Sequence, residues 1–500
     1  MSKQPNILLF FTDMQRHDTI HALGNEVIRT PNLDRLVREG TAFTSCYSPS
    51  PVCIPARFAM HYGLYPFRTG LAENTRMPDD NGRSLPAALA ELGYHCAAIG
   101  KCHFTPDKAA MRGFAERLIQ EECCSDPDKD DYCRWLADKG ADHDEPHGTR
   151  GEMYYVPQIS LHPAAEHPSQ WIGDRSIDFI RQRRANAGDQ PWFLFSSFIH
   201  PHPPFAPPKP WHKLYRSPDM PLPEVPQDAE SLLVWVNHFQ NRYKYRDQGI
   251  DDNLLRNMKA YYYATISFVD YQVGRVMAEL AEHGELDNTV IVFASDHGEY
   301  LGDYDCFGKR GMHDASARVP LLVRYPRAFT ADARCATATS LVDIFPTLIN
   351  AAGGICAGRG LDGCDLAAIA AGKCQRRFVF SQYSNDNTAL YMVADDRYKY
   401  VWSAGDQREF LFDRQVDPLE RRNRSALSSL AEVKKTLKTA LLQRLKDNQL
   451  DHAYVEKNGL LDWKANPRYD DSFRRDPDAR LLFQDHHLHK ICFPDGYQQD

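Results

Sequence analysis

Short apolar runs alternate with amphipathic stretches along most of this chain. The runs that predict strands are residues 7–11, 95–99, 193–198 and 290–294. The stretches with helical periodicity are residues 30–39, 85–92 and 254–280. Continuous apolar runs are typical of strands buried on both faces, as in parallel sheets. The pattern predicts an α/β fold built on a large, mixed, mostly parallel sheet that is flanked by helices.

The pattern changes between residues 105 and 169, which are rich in Asp, His, Gly and Pro. We expect loops and short helices there, lying over the sheet. The proline-rich stretch 201–210 predicts a rigid loop that leaves the strand ending near His200.

A second change begins near Arg376. Strand-like runs at 378–382, 390–393 and 399–402 precede a helical stretch at 430–446, which predicts a smaller C-terminal α+β subdomain with an antiparallel sheet. The last fifty residues are polar and aromatic, and predict a loose tail or an arm that reaches a neighbouring subunit of a homo-oligomer. The predicted domains are residues 1–375, the catalytic domain, residues 376–450, the C-terminal subdomain, and residues 451–500, the tail.

Composition narrows the functional classes. The chain has 500 residues, of which 43% are hydrophobic and 25% charged, as in a globular enzyme with a sizeable core. A net charge of -8 gives no sign of a nucleic-acid partner. No apolar run is long enough to cross a membrane. The first run is too short for a signal peptide and lacks a cleavage site, so we expect a cytoplasmic protein, or a periplasmic or secreted one if a leader has been removed.

Thirteen cysteines occur without CxxC spacing. This excludes a zinc ribbon and a disulfide framework. Most are expected to be plain buried thiols, including the adjacent Cys123 and Cys124.

Polar residues that could carry chemistry follow the predicted strands. Asp13 ends the first strand, and Asp296 and His297 follow a later one. Open α/β sheets bind ligands at this edge. Each of these residues alone could equally cap a helix or a turn. Together they could bind a metal ion, and on softness the imidazole favours Mn²⁺ or Zn²⁺ over Ca²⁺.

Two further patterns concern a nucleophile and cations. Cys53 lies four residues before Arg57 at a predicted helix start, where its pKa would be depressed. It could be an unmodified thiolate nucleophile, or a small buried residue with Arg57 on the surface. The cationic candidates are Lys101 with His103, His200 with His202, and Lys309 with His313. Gathered around an acidic metal site, such cations would match a tetrahedral anion.

The run from Cys53 to Arg57 reads Cys-Ile-Pro-Ala-Arg, which fits the C-x-P-x-R signature of the formylglycine-dependent sulfatases. Further matches follow in that family's order over residues 5 to about 425, at Pro5–Ile7, Asp13, Thr30–Asp34, Gly100–His103, Pro201–His202, Asp296–Gly298, Lys309, Arg318–Pro320 and Leu411–Pro418. The chain therefore resembles this family, which includes arylsulfatases, choline sulfatases and phosphonate monoester hydrolases within the alkaline phosphatase superfamily. The resemblance implies an alkaline phosphatase-like fold.

The resemblance also implies a reaction. A maturation enzyme would convert Cys53 to formylglycine, whose hydrate, bound to one divalent ion, attacks the sulfur of a small-molecule or saccharide sulfate ester, carbohydrate or aryl. The implied metal ligands are Asp13, Cys53, Asp296 and His297. The implied catalytic residues are Arg57, which holds the diol, Lys101 and Lys309, which bind sulfate oxygens, His103, the base at residue 53, and His202, the leaving-group acid or a sulfate contact.

The chain departs from the family at Met14, where many sulfatases have a second Asp. A thioether is a poor ligand for a hard cation, so Mn²⁺ rivals the family's usual Ca²⁺. Gln15, one position later, could reach the metal or not.

Three other functions stay open. The same motifs suit a phosphonate monoester or phosphodiester hydrolase, an unmodified cysteine enzyme, or a binding protein that has lost catalysis.

Overall fold

The structure is a computed structural model that describes residues 3–122, 126–150, 154–186, 188–223, 225–243 and 250–470. The predicted thiols Cys123 and Cys124 and the last thirty residues lie outside this part. Its α-helices are α1 (Pro31–Glu39), α2 (Cys53–Tyr62), α3 (Pro66–Thr69), α4 (Leu85–Ala90), α5 (Asp131–Asp138), α6 (Pro168–Asn186), α7 (Trp235–Tyr243), α8 (Asp252–Glu282), α9 (Asp314–Ala317), α10 (Ile344–Ala351), α11 (Leu366–Ala370) and α12 (Ala431–Asp447).

The strands of the described part form sheets of eight, three, four and two strands. They are β1 (Asn6–Asp13), β2 (Thr41–Phe43), β3 (Cys46–Tyr47), β4 (His95–Gly100), β5 (Glu116–Ile119), β6 (Trp192–Pro201), β7 (Thr289–Ser295), β8 (Arg318–Val319), β9 (Leu321–Arg324), β10 (Ala333–Cys335), β11 (Thr339–Ser340), β12 (Val379–Tyr383), β13 (Leu390–Ala394), β14 (Tyr398–Ser403), β15 (Arg408–Asp413), β16 (Tyr454–Lys457) and β17 (Leu460–Trp463).

The large sheet has the order β10-β2-β9-β7-β1-β6-β4-β5. All its neighbours pair in parallel except β9, which runs antiparallel to β2 and β7. The mixed, mostly parallel α/β fold and the four central strands predicted from apolar runs are confirmed.

Both faces of this sheet are buried, which is why its strands read as continuous apolar runs. In β1, Ile7, Leu9 and Phe11 face one core, which α2, α4 and α10 cover. Leu8 and Phe10 face the other core, which α1, α6 and α8 cover. The large sheet is therefore the centre of a three-layer unit.

The four-stranded antiparallel sheet β12-β13-β14-β15 confirms the strands predicted after Arg376, and α12 packs on it. The domain boundaries stay a prediction. None of the helices in the described residues combines the length and the apolar character that a membrane span requires.

Two expectations need correction. The segment 105–169 contains more than loops and short helices, because β5 pairs with β4 and extends the large sheet. Its Glu-Arg-Leu-Ile sequence is only half-buried at the sheet edge, so it lacks an apolar signal. The described part of the tail, residues 451–470, is not loose: β16 and β17 form a hairpin on the chain's own C-terminal unit, where the ring centroids of Trp463 and Trp402 lie 5.0 Å apart. The arm to a neighbouring subunit stays a prediction, and the rest of the tail lies outside the described residues.

Candidate active site

The carboxyl ends of four adjacent strands meet at one place. Asp13 is the last residue of β1, Asp296 follows β7, His202 follows β6 and Lys101 follows β4. These strands are neighbours in the order β7-β1-β6-β4. The sheet thus brings together residues that are far apart in sequence, at the edge where such sheets bind ligands.

Cys53 is the first residue of α2 and is buried. Its Sγ lies 3.8 Å from Asp13 Oδ1, 3.2 Å from His297 Nε2 and 2.8 Å from Lys309 Nζ. The Cys53 side chain therefore lies between Asp13 and His297, which come at the ends of their strands, and the ammonium of Lys309.

The donor atoms of Asp13, Cys53, Asp296 and His297 all lie within 4.8 Å of one another, and the four residues are buried. His297 Nδ1 lies 3.0 Å from the carbonyl oxygen of Gly298. Because a carbonyl only accepts, Nδ1 carries a proton, and Nε2 is the ring nitrogen directed at the cluster and available to a metal ion once it is deprotonated, as in metal-bound histidines. Two carboxylates and an imidazole in this state fit a divalent ion.

Arg57 lies one helical turn from Cys53 and is fully buried. Its guanidinium donates to Asp296 Oδ2 at 2.9 Å and to Asp13 Oδ2 at 3.3 Å, and also to the carbonyl of Lys101 and to Ser197 Oγ. These bonds hold the Arg57 guanidinium against both carboxylates, and its positive charge offsets the repulsion between them.

The structure shows how Met14 and Gln15 are used. Met14 has a positive φ of 66°, and its backbone N–H donates to Asp296 Oδ1 at 3.0 Å. The Gln15 amide hydrogen-bonds with the hydroxyls of Thr12 and Thr19, at 3.0 and 3.2 Å. These bonds keep the Gln15 side chain beside Thr12 and Thr19. Among the described residues of the cluster, Asp13 and Asp296 are the only carboxylates, and none takes the place of the Asp expected at position 14.

The two lysines differ in their partners. Lys101 Nζ lies 2.6 Å from Asp13 Oδ2 and 2.6 Å from Glu122 Oε2. Lys309 Nζ forms no salt bridge within the described part of the chain, and its contacts are Cys53 Sγ and His202 Nε2, the latter at 3.2 Å. Lys309 is therefore the cation whose charge is open to an anion bound at residue 53.

Charges shift the pKa values of this cluster. Burial and Asp13 raise the pKa of the Cys53 thiol, but Lys309, His297 and Lys101 outweigh them, so it lies well below its ordinary value. Burial lowers the pKa of His202 to about 3, opposed by Glu122 and reinforced by Lys309. His202 is thus neutral at rest, and because Nδ1 lies 2.8 Å from the Pro203 carbonyl oxygen, Nε2 is its acceptor.

The other predicted histidines lie differently. The His103 backbone N–H donates to Glu121 at 2.9 Å, and its buried Nδ1 makes no hydrogen bond within the described residues. His313 Nδ1 lies 2.8 Å from Tyr300 Oη, and His200 Nδ1 lies 3.2 Å from Ser169 Oγ. His200 and His313 therefore have partners of their own outside the cluster around Cys53.

Two residues that contact the site, Glu122 and Gln240, were not predicted from the sequence. Glu122 joins Lys101 to Arg150, with a Glu122–Arg150 distance of 3.0 Å, and Gln240 contacts the backbone of Lys309. Neither belongs to a motif or follows an apolar run, so the sequence carries no local signal for either.

Comparison with known proteins gives matches over most of the chain. The family model described as Sulfatase matches residues 5–355, and the model described as N-sulphoglucosamine sulphohydrolase, C-terminal, matches residues 302–447. The arylsulfatase of Clostridium perfringens is 28% identical, over 92% of this chain and 97% of its own. The multifunctional alkaline phosphatase superfamily protein PehA of Trinickia caryophylli is 30% identical, over 91% of this chain and 98% of its own.

Among solved structures, the phosphonate monoester hydrolase of Agrobacterium radiobacter aligns with a TM-score of 0.75 and 26% identity, over 93% of this chain and 100% of that one. The family match spans both the large sheet and the residues gathered at its edge. This chain belongs to the sulfatase family, the sulfuric ester hydrolases of the alkaline phosphatase superfamily.

Proposed function

We propose that the protein hydrolyses a sulfate monoester of a carbohydrate or aryl alcohol. Residue 53, matured from Cys to formylglycine by a maturation enzyme, is the nucleophile in this proposal. One divalent ion is held by Asp13, Asp296, His297 and residue 53. The observation that carries the proposal is the buried cluster of these four donors, which lies next to the uncompensated ammonium of Lys309.

The donor set supports a metal ion at this position. Asp13 Oδ2 and Asp296 Oδ2 are bound by Arg57, whereas Asp13 Oδ1 and His297 Nε2 are directed at residue 53. The bound ion would act as a Lewis acid toward an oxygen at this point. One imidazole, and two carboxylates whose oxygens are partly used, favour Mn²⁺ over Ca²⁺, which prefers six or more oxygen ligands.

The cations of the site have separate tasks in this proposal. Lys309 binds the sulfate oxygens, whose negative charge grows as the ester bond breaks. Lys101 keeps Asp13 ionised. Burial lowers the pKa of Lys101, but Asp13 and Glu122 outweigh this effect and raise it above its ordinary value, so the lysine stays charged. A third hydrogen of its ammonium can reach the sulfate. Formylglycine at position 53 would supply a hydrated aldehyde oxygen as the nucleophile.

Protons are moved by histidines in this proposal. His202, whose Nε2 lies 3.2 Å from the Lys309 ammonium, is proposed as the leaving-group acid or as a sulfate contact. His103, with its unpaired Nδ1, is proposed as the base at residue 53.

The first test compares kcat/KM on three nitrophenyl esters: a sulfate, a phosphonate monoester and a phosphate diester. The protein is co-expressed with a maturation enzyme, and Cys53→Ala is the blank. We expect the sulfate to be favoured by orders of magnitude and the blank to be inactive.

Other outcomes would redirect the proposal. If the phosphorus esters lead, the function is that of the phosphonate monoester hydrolase to which the fold is similar. Equal, very low rates in both proteins would refute a nucleophile at position 53. The tryptic peptide of residues 39–57 contains Cys46 as well as Cys53. Its mass after alkylation therefore separates an aldehyde at residue 53 from an unmodified thiol, with buried Cys46 as the internal reference.

A further inference from the structure

Gln240 on α7 contacts both backbone groups of Lys309. Its Oε1 accepts from the Lys309 backbone N–H at 2.9 Å, and its Nε2 donates to the Lys309 carbonyl oxygen. Gln240 is 1% exposed. A side-chain amide that pairs in this way fixes the peptide units on both sides of the Lys309 Cα, and hence the direction in which the side chain leaves the backbone.

The neighbouring residue extends this contact. Asn241 Nδ2 donates to the Asp305 carbonyl oxygen at 2.9 Å, and Asn241 Oδ1 accepts from the Phe307 backbone N–H at 3.1 Å. We call Gln240 and Asn241 the amide clamp. Together they bind the loop 305–309, which otherwise has no helix or strand at Lys309 to hold it.

Helix α7 is itself attached to the four-stranded sheet. The Trp235 backbone N–H donates to Asp406 Oδ2 at 3.0 Å, and its indole N–H donates to the Thr388 carbonyl oxygen at 3.1 Å. Asp406 lies in the turn between β14 and β15. A continuous set of hydrogen bonds therefore leads from this turn through α7 to the backbone of Lys309, whose ammonium lies beside residue 53.

We propose that Gln240 is a positioning residue for catalysis, which holds the Lys309 ammonium against the transferred sulfate, with α7 anchored on the C-terminal sheet. This proposal rests on the role given to Lys309 under the proposed function. Because the loop lacks regular structure at Lys309, the loss of the clamp would let the ammonium move without unfolding the sheet. A displacement of about 1 Å can cost about 10²-fold in turnover.

The test is a double-mutant cycle with Gln240→Met and Lys309→Met. Methionine keeps the shape of glutamine and removes both hydrogen bonds to Lys309, together with the one that Oε1 accepts from Arg310 Nη1 at 3.3 Å. Gln272→Met is the matched control, because Gln272 on α8 is also buried and uses its amide twice, donating to Gln170 at 3.0 Å and accepting from Arg275 at 2.8 Å, with no hydrogen bond to Lys309. Gln240→Asn is the second variant if Gln240→Met does not fold.

Kinetics and binding are measured on all variants. We expect Gln240→Met to lower kcat by about 10- to 10²-fold and to raise KM by a smaller factor, because the Lys309 ammonium also contacts the bound sulfate. In the Lys309→Met background the same change should cost less than about twofold, since both act on one ammonium. The affinity for inorganic sulfate, measured by calorimetry on Cys53→Ala protein, should fall with Gln240→Met and stay unchanged with Gln272→Met.

The outcomes that overturn the proposal are distinct. Equal kcat losses for Gln240→Met in both backgrounds, or equal effects of Gln240→Met and Gln272→Met, would refute the clamp while Lys309 keeps its role. If Lys309→Met changes neither turnover nor sulfate affinity, the proposed role of Lys309 fails, and the clamp fails with it.

Discussion

Replacing Lys101 or Lys309 with methionine removes the same charge from two environments that differ in their carboxylate partners. Lys101 pairs with Asp13 and Glu122, both at 2.6 Å, while Lys309 has no salt bridge among the described residues. The two substitutions should therefore impair different properties of the protein, although both lysines lie close to residue 53.

For Lys101→Met, the cost falls on stability and on the metal site. The substitution leaves the fully buried Asp13 without its nearest cation, and breaking a buried pair typically costs about 3–5 kcal/mol. Arg57 remains at 3.3 Å from Asp13, so we expect the lower end of that range. The pKa of Asp13, which cations hold well below its ordinary value against the effect of burial, should rise and weaken metal binding at acidic pH.

Lys309→Met should lower the rate of the reaction. A unit charge pair at about 3 Å with an effective dielectric of about 20 is worth about 5 kcal/mol. Only the charge that develops on the sulfate between the bound substrate and the transition state changes kcat, which leaves about 3 kcal/mol, or about 10²-fold in kcat. The unfolding temperature should stay nearly the same, because among the described residues Lys309 forms no salt bridge that its removal would break.

The assay combines three measurements on each variant: kcat and KM on a nitrophenyl sulfate, the melting temperature, and the metal content after dialysis. We expect Lys309→Met to lose turnover while keeping its metal and melting temperature, and Lys101→Met to lose all three. Equal melting temperatures for the two variants, or a Lys309→Met enzyme within about threefold of the unaltered one, would refute this division of tasks.

Three further changes test other parts of the molecule. His297→Ala should reduce bound metal from one ion per chain to a small fraction, measured by elemental analysis, since it removes the ligand whose Nε2 is directed at the cluster. Burial, together with Asp314, raises the pKa of Glu420 from 4.5 to about 7. The stability gained from its protonated form is complete below about pH 4.5 and is lost as the pH rises through 7, so the free energy of unfolding should fall by about 1.4 kcal/mol between pH 6 and 8, which lowers the melting temperature. Glu420→Gln should flatten this profile. Trp463→Ala removes a ring stacked on Trp402 at 5.0 Å and should cost about 3–5 kcal/mol in denaturant unfolding with kcat retained; a loss of activity at unchanged stability would contradict a purely structural hairpin.

The sequence predicted the centre of the fold and not its edges. β1, β6 and β7 are buried on both faces, so each contains a continuous run of four or five apolar residues that marks the strand. β5 is half-exposed at the sheet edge and the β16–β17 hairpin is largely exposed. Solvent accepts polar residues there, and the apolar pattern that marks a strand is lost.

The residues of the site also divide into those that the sequence predicts and those that it does not. Asp13, Lys101, His202 and Asp296 could be predicted because each follows a strand whose end the fold places at one edge. Glu122 and Gln240 could not, since their partners are 21 and 69 residues away along the chain and hydrogen bonds over such distances leave no periodic trace. The proposed preference for Mn²⁺ depends on the hydrogen bonds of Asp13, Met14 and Asp296, and these bonds have no signal in the sequence.

The measurement that tests the central claim most directly relates turnover to the state of residue 53. Protein is prepared with increasing amounts of the maturation enzyme, the fraction of aldehyde in the peptide of residues 39–57 is measured by mass spectrometry, and kcat is measured on the same samples with a nitrophenyl sulfate. A nucleophile formed from Cys53 predicts that kcat rises in proportion to the aldehyde fraction and extrapolates to zero with none. Turnover that is independent of this fraction, or as high in protein with only a thiol at residue 53, would contradict the account.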